Sequence, residues 1–115
     1  MPVNSMKRFI VIAALVLWPL PLAGQVALSW QDNSSNETKF RVYRADGPPG
    51  NQTFVTLAEV GVDVTSYVDR TVGAGMAYGY RVTSLSAAGE SVASNIANVT
   101  TPPPSSVPPP PGMLV

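Results

Sequence analysis

The sequence predicts an all-β protein built as a two-sheet sandwich, and three features of the chain lead to this prediction. Apolar residues recur at every second position from Val26 onward, which is the period of strands rather than of helices. Turn-forming stretches rich in Gly, Pro, Asn and Asp separate these runs at regular intervals. The 115 residues, 45% of them hydrophobic, suit one small core with appended segments.

The first segment, residues 1–24, has the order of a secretory signal peptide. Lys7 and Arg8 precede an apolar run, and the small residues Ala23 and Gly24 offer a cleavage point. The apolar run is about 10 residues long, whereas a spanning helix needs about 20. We therefore expect a secreted or extracytoplasmic protein that contacts a membrane only through an uncleaved leader. Alternatively, the segment stays on the chain and its β-branched residues form a strand.

The domain that follows, residues 25–101, is predicted to contain six short strands. Val26, Leu28 and Trp30 alternate with small residues, so the first strand buries one face. The phase of the fourth strand is ambiguous, because apolar residues lie on both of its sides. The six predicted strands are 26–30, 40–44, 54–60, 66–69, 78–84 and 96–100.

Several short stretches together resemble a known family over about residues 26–102. LSW closes the first strand at Trp30, and NETKFRVYR resembles a second-strand entry. TSYVD and the residues leading to Tyr78 are similar to the approach to a tyrosine corner, and YGYRVTSLSAAGES with SNIANVTTPPP matches the last two strands. The chain thus resembles fibronectin type III domains, particularly those of secreted bacterial proteins. This resemblance implies an immunoglobulin-like β-sandwich.

The N-terminal segment occupies the place where members of this family carry their first edge strand. That strand is therefore either missing or supplied by the N-terminal segment. If the leader is removed near Gly24, the strand ending at Trp30 becomes an open edge that could recruit another strand and cause self-association.

Four large aromatic residues are predicted to be structural core rather than a ligand site, because each lies on the alternating apolar face of a strand or begins one. They are Trp30, Tyr67, Tyr78 and Tyr80. The wider inward set adds Leu28, Phe40, Val42, Val82, Ala97 and Val99.

A candidate ligand surface lies on the opposite side of the predicted sheet. Arg41 and Tyr43 point outward there beside Arg81, and Gly79 is expected to leave room next to them. Two guanidinium groups and a ring could hold a carboxylate or an acidic glycan. The alternative is an ordinary solvated face in which an aromatic ring covers a strand glycine.

Composition and spacing exclude several classes of chemistry. The chain has no Cys and no His, which removes thiol nucleophiles and the usual nitrogen and sulfur metal ligands. After a cleaved leader it would carry five basic and seven acidic residues, which does not suit nucleic acid. Asp32, Ser34 and Asn36 resemble the start of a calcium loop, but Glu37 stands where glycine is needed. We expect no cofactor and no metal.

The favoured function is a non-catalytic binding or spacer module for a protein or polysaccharide partner. A structural assembly subunit that pairs β-strands is the alternative, and a fragment of a secreted hydrolase is a distant third. We expect no enzyme activity, since no serine elbow, phosphate loop or paired carboxylates are evident. The tail, residues 102–115, contains seven of the twelve prolines and is predicted to be an extended linker or docking segment.

Overall fold

A computed structural model describes the backbone of residues 11–15 and all atoms of residues 24–32 and 36–104. These residues form eight strands in two antiparallel sheets, which confirms the all-β sandwich. No helix able to cross a membrane is found within these ranges. The strands are β1 (Val11–Leu15), β2 (Val26–Trp30), β3 (Lys39–Asp46), β4 (Val55–Gly61), β5 (Ser66–Asp69), β6 (Ala77–Ser86), β7 (Gly89–Glu90) and β8 (Ala97–Thr100).

The smaller sheet has the order β1-β2-β5, and its edge strand comes from the N-terminal segment. β1 pairs with the whole of β2, from Val11 opposite Trp30 to Leu15 opposite Val26. The first edge strand is therefore supplied rather than missing when this segment is attached. Cleavage after Gly24 remains a prediction, and it would remove β1 from the sheet.

The larger sheet has the order β4-β3-β6-β7, and β8 pairs with the other half of β6 along the same edge as β7. β3 and β6 form its centre and run in register from Lys39 opposite Leu85 to Asp46 opposite Tyr78. Both are longer than predicted. β7 was not predicted at all, because the stretch AAGE reads as a loop; Gly89 takes a φ of 127° there, which closes a tight hairpin back onto β6.

An irregularity in the pairing of β3 with β4 explains the ambiguous phase of the fourth strand. Val42 faces Ala58, but the next residue, Tyr43, faces Thr56, so Leu57 is an extra residue on β4. Such a bulge shifts the alternation by one position. Leu57 and Val60 consequently both pack against the core, although their spacing does not fit a regular strand.

The core lies between the two sheets and is formed by one contiguous cluster. The indole of Trp30 meets the ring of Phe40 edge-on, with 5.8 Å between their centres. Each fully buried large apolar side chain contributes on the order of 1.5–3 kcal/mol. The buried members are Val26, Leu28, Trp30, Phe40, Val42, Val72, Tyr78, Tyr80 and Val82, with Leu57, Val60, Tyr67, Ala97 and Val99 packed partly against them.

A buried ion pair joins the two sheets beside this core. Asp69 of β5 is fully buried, and its Oδ2 accepts hydrogen bonds from Nη1 of Arg44 at 3.0 Å and from the hydroxyl of Tyr80 at 2.7 Å. Its Oδ1 accepts from the hydroxyl and the amide of Thr71 at 2.6 and 3.0 Å. Burial opposes ionisation, but these donors outweigh it and hold the pKa of Asp69 below its usual value.

The loop between β5 and β6 contains the expected tyrosine corner. The amide of Gly73 donates a hydrogen bond of 2.7 Å to the Tyr78 hydroxyl oxygen, five residues along the chain. The same loop is held from the other side by Thr101, whose hydroxyl donates to the Gly73 carbonyl at 2.6 Å and accepts from the Met76 amide at 2.9 Å. Thr101 thus ties the residue after β8 to this loop. Most of the predicted Pro-rich tail, residues 105–115, lies outside the described residues.

Candidate functional site

The three residues of the candidate ligand surface lie together on the outward face of the larger sheet. Tyr43 and Arg81 are direct cross-strand neighbours on β3 and β6, and Arg41 stands two residues before Tyr43, opposite Thr83. Because side chains alternate along a strand, Phe40 of β3 points into the core, whereas Arg41 and Tyr43 point away from it. The pairing of the two central strands therefore assembles the predicted group.

The guanidinium of Arg41 is already held by two carboxylates of the same sheet. Its Nε and Nη2 lie 2.9 and 2.8 Å from Oε2 of Glu59 on β4, and its Nη1 lies 3.5 Å from Oε1 of Glu90 on β7. Lys39 adds a contact of 3.1 Å to the other oxygen of Glu59. The neighbouring Tyr43 hydroxyl and Glu59 raise the pKa of Arg41, while Lys39 and Arg41 lower the pKa of Glu59.

Glu90 is the second carboxylate in this group, and it is not among the residues predicted for this surface. The hydroxyl of Tyr43 donates a short hydrogen bond to Oε2 of Glu90, and the hydroxyl of Thr83 donates to the same oxygen at 2.6 Å. Partial burial works against ionisation, but Thr83 and Tyr43 outweigh it and hold the pKa of Glu90 below its usual value. Glu90 reaches this face because the unpredicted strand β7 pairs with the end of β6.

Arg81 is placed differently, between two aromatic rings. Its guanidinium carbon lies 4.4 Å from the ring centre of Phe54 and 5.5 Å from that of Tyr43, which are cation–π distances. Its Nε is buried without a hydrogen-bond partner, and within the described ranges Arg81 makes no ion pair. Phe54 was assigned to a strand by the sequence, but it lies just before β4 and covers this arginine.

The space expected beside Gly79 is filled. A Cβ at this position would lie 2.5 Å from Nε2 of Gln52 and 3.1 Å from Oδ1 of Asn98. Gln52 donates from Nε2 to the Gly47 carbonyl at 3.1 Å and to Asn98 at 2.9 Å. The prediction of open room here is wrong, because an amide bridge rather than a ring or solvent covers the glycine.

The charges on this face largely neutralise one another. Lys39, Arg41 and Arg81 contribute three positive charges, and Glu59 and Glu90 contribute two negative ones. An acidic ligand would have to compete with two internal carboxylates in direct contact with Arg41, whereas no carboxylate of the described residues is in direct contact with Arg81. The described geometry therefore favours Arg81 with its two rings as the more open part of the surface.

The four aromatic residues assigned to the core occupy it. Trp30, Tyr78 and Tyr80 are buried, and Tyr67 packs partly against the same cluster. Of the residues that resembled a calcium loop, Asn36 is exposed and Ser34 lies outside the described residues. Asp32 instead lies near two other acidic residues, Glu37 and Asp63.

Comparison with solved structures gives low sequence identity and a shared fold. An Fn3-like protein from Clostridium thermocellum is 22% identical, with a TM-score of 0.66, over 83% of this chain and 92% of that one. Pectate lyase PelI from Erwinia chrysanthemi is 17% identical, with a TM-score of 0.67, over 81% of this chain. The twitchin kinase region of C. elegans is 17% identical, with a TM-score of 0.68, over 93% of this chain.

The match covers only part of two of these proteins. It spans 28% of the pectate lyase chain and 18% of the twitchin chain. No family model matches the sequence, and no curated protein is similar to it. The comparisons therefore establish a fibronectin type III-like fold and nothing beyond the fold.

Proposed function

We propose that this chain, which has a fibronectin type III-like fold, is a non-catalytic binding or spacer module that works outside the cytoplasm. One observation carries the proposal: apart from Arg81, the charged side chains of the candidate ligand surface and its neighbours are held by one another. Arg41, Tyr43 and Thr83 all contact Glu90 or Glu59. Groups committed to internal hydrogen bonds suit a rigid scaffold, whereas catalysis requires a nucleophile and a base left available to substrate.

The fold comparison supports the same proposal. The similar region forms a minor part of the pectate lyase and twitchin chains, so the fold occurs as one unit of longer proteins. A module of this kind acts either by spacing its neighbours apart or by binding a partner on its surface. The signal-peptide pattern of residues 1–24 supports a place outside the cytoplasm.

The binding part of the proposal is tested with an acidic polysaccharide. Polygalacturonate is immobilised, and retention of the full chain is compared with that of Arg81→Ala and of the double variant Arg41→Ala/Arg81→Ala. Arg70→Ala is the matched control, because it removes one exposed positive charge elsewhere. Retention lost with Arg81 but not with Arg70 supports a binding module, and no retention of any form supports a spacer.

The non-catalytic part is tested with hydrolase and lyase substrate panels. We expect no turnover above that of buffer. Reproducible turnover that disappears when one carboxylate is replaced would contradict the proposal. The intact mass of protein recovered outside the cell tests the location and shows whether residues 1–24 are still attached.

The pairing of β1 with β2 favours one second candidate, an assembly subunit. Five residues of the N-terminal segment pair with β2, so a chain without them would present β2 as an unpaired edge. A strand from another copy could then take that place. Sizing chromatography separates the candidates, because a spacer stays monomeric and an assembly subunit forms concentration-dependent oligomers.

A further inference from the structure

Three carboxylates converge at one end of the sandwich, although they are distant in the sequence. Asp32 follows β2, Glu37 precedes β3, and Asp63 lies in the turn between β4 and β5. One carboxylate oxygen from each lies within 4.8 Å of the other two. Like charges at this separation repel one another unless a cation or a proton compensates for them.

The burial of Glu37 is independent evidence that something compensates. Glu37 is only 8% exposed, and its Oε1 is buried without a hydrogen-bond partner among the described residues. A carboxylate oxygen in this position pays a desolvation penalty, and buried charges in native proteins are normally paired or bound to a metal. Within the described residues this carboxylate lies beside two further acids, and one cation would compensate all three charges at once.

The geometry fits one cation in particular. Ca²⁺ binds carboxylate oxygens at about 2.3–2.6 Å in flexible geometry, so three oxygens up to about 4.5 Å apart can share one ion, and a set within 4.8 Å needs little or no movement. Mg²⁺ binds at about 2.0–2.1 Å, demands near-ideal octahedral geometry and gives up its waters reluctantly, so it is less suited to side chains that come from separate segments. With neither Cys nor His in the chain, only oxygen ligands are available, and Ca²⁺ prefers these.

The exposure of the three residues provides a route for the ion. Asp63 is exposed, Asp32 is partly buried and Glu37 is buried, so the group opens to solvent on one side. Water and loop carbonyls can complete the shell of a Ca²⁺ ion there.

We propose that Asp32, Glu37 and Asp63 form a calcium site that ties the β2–β3 loop to the β4–β5 turn. The ion compensates the buried carboxylate of Glu37 and fixes two loops at the same end of the domain. The ligand set differs from the calcium loop considered in the sequence, because Asp63 comes from across the fold and Ser34 and Asn36 are not required. Open sites of this kind in extracellular modules have dissociation constants of about 0.1–1 mM.

The test is thermal unfolding and calorimetric titration of the full chain. Protein treated with a chelator is compared with protein in about 5 mM CaCl₂ and in about 5 mM MgCl₂. We expect Ca²⁺ to raise Tm by roughly 4–8 °C, because the ion binds only the folded chain, and Mg²⁺ to raise it by much less. Titration should show one site per chain.

Two ligand variants and one control complete the experiment. Glu37→Gln should lose the response to Ca²⁺ while unfolding at the same or a higher temperature than the chelated wild type, because it removes an unpaired buried charge. Asp63→Asn should weaken Ca²⁺ binding at least about tenfold, and as an exposed residue it keeps the chain folded even if Glu37→Gln does not. Asp46→Asn, an exposed acidic residue outside the group, should keep the full response.

Three results would each overturn the proposal. One is a wild-type chain whose Tm and titration heat do not respond to Ca²⁺. A second is an equal response to Mg²⁺, and the third is an Asp63→Asn variant that responds as strongly as the wild type.

Discussion

Individual residues in this protein owe their roles to partners that are remote in the sequence. Asp69 is the clearest case, because it is fully buried yet charged, with Arg44, Thr71 and Tyr80 as its donors. Both members of the ion pair were visible in the sequence as polar residues in phase with apolar ones: Arg44 follows Phe40 and Val42 on one face, and Asp69 follows Tyr67. Phase alone did not reveal that the two meet across the core.

Replacing Asp69 should destabilise the domain strongly. Asp69→Ala leaves the buried Tyr80 hydroxyl and the half-buried Arg44 without this acceptor, and breaking a buried pair in this way costs about 3–5 kcal/mol. Urea unfolding followed by circular dichroism of the β-sheet signal measures this loss. Asp46→Ala removes the exposed acidic contact of the same arginine, and it should cost no more than about 1 kcal/mol. If both variants lost the same free energy of unfolding, the burial of Asp69 would not make its contacts more important than those of the exposed Asp46.

The lowered pKa of Asp69 also predicts how stability depends on pH. A carboxyl whose pKa is lower in the folded state contributes stability above its unfolded pKa of about 3.9, and this contribution disappears as pH falls through the folded value. The free energy of unfolding should therefore fall as pH decreases from about 5 toward 2. In Asp69→Asn the free energy of unfolding should fall less steeply over this pH window. The same pH dependence in the variant and the wild type would show that Asp69 does not cause the fall.

At the scale of elements, the N-terminal segment and the bulge in β4 decide how the sheets are completed. β1 protects the edge of the smaller sheet, and β7 carries Glu90 to the candidate surface. The bulge at Leu57 brings two apolar residues of β4 to the core. Neither short edge strand could be read from periodicity, because two residues have no period and residues 11–15 belong to an apolar run typical of a leader.

A chain that begins at Gln25 should be less stable than the full chain. It lacks the five backbone pairings of β1 with β2, and a domain of fewer than about 80 residues has a margin of only about 3–5 kcal/mol. Thermal unfolding of the two forms measures the difference. The matched comparison is a chain from Gln25 with an unrelated β-strand sequence added in front of it, which should recover part of the loss. Equal Tm values for the short and full chains would show that β1 contributes nothing.

The molecule as a whole is a two-sheet sandwich, with paired charges around Arg41 on its outward face and a carboxylate cluster at one end. If the leader is cleaved, the exposed edge of β2 is the surface through which copies would meet. The molecule therefore has two separate expected contacts. A cation is expected at one end, and a strand from another copy is expected along the edge of β2 if β1 is removed.

Oligomer formation should depend on β1. At high protein concentration, the chain from Gln25 should elute from a sizing column as a larger species than the full chain, because its β2 edge is open. A Ser29→Pro substitution in the shorter chain should reduce this association, because proline cannot donate a hydrogen bond along an edge. A monomer at all concentrations would remove the assembly candidate.

The local sequence was enough to predict the sandwich, all six of whose predicted strands lie within two residues of the observed ones, and the aromatic residues that fill it. It could do so because the alternation of apolar residues and the turn residues are local signals that reflect which face each strand buries. Only the tertiary structure decided that Arg41 is paired, that Gln52 covers Gly79 and that Asp32, Glu37 and Asp63 meet. These outcomes depend on loop paths and strand register, which bring residues together across the fold and leave no trace in local periodicity.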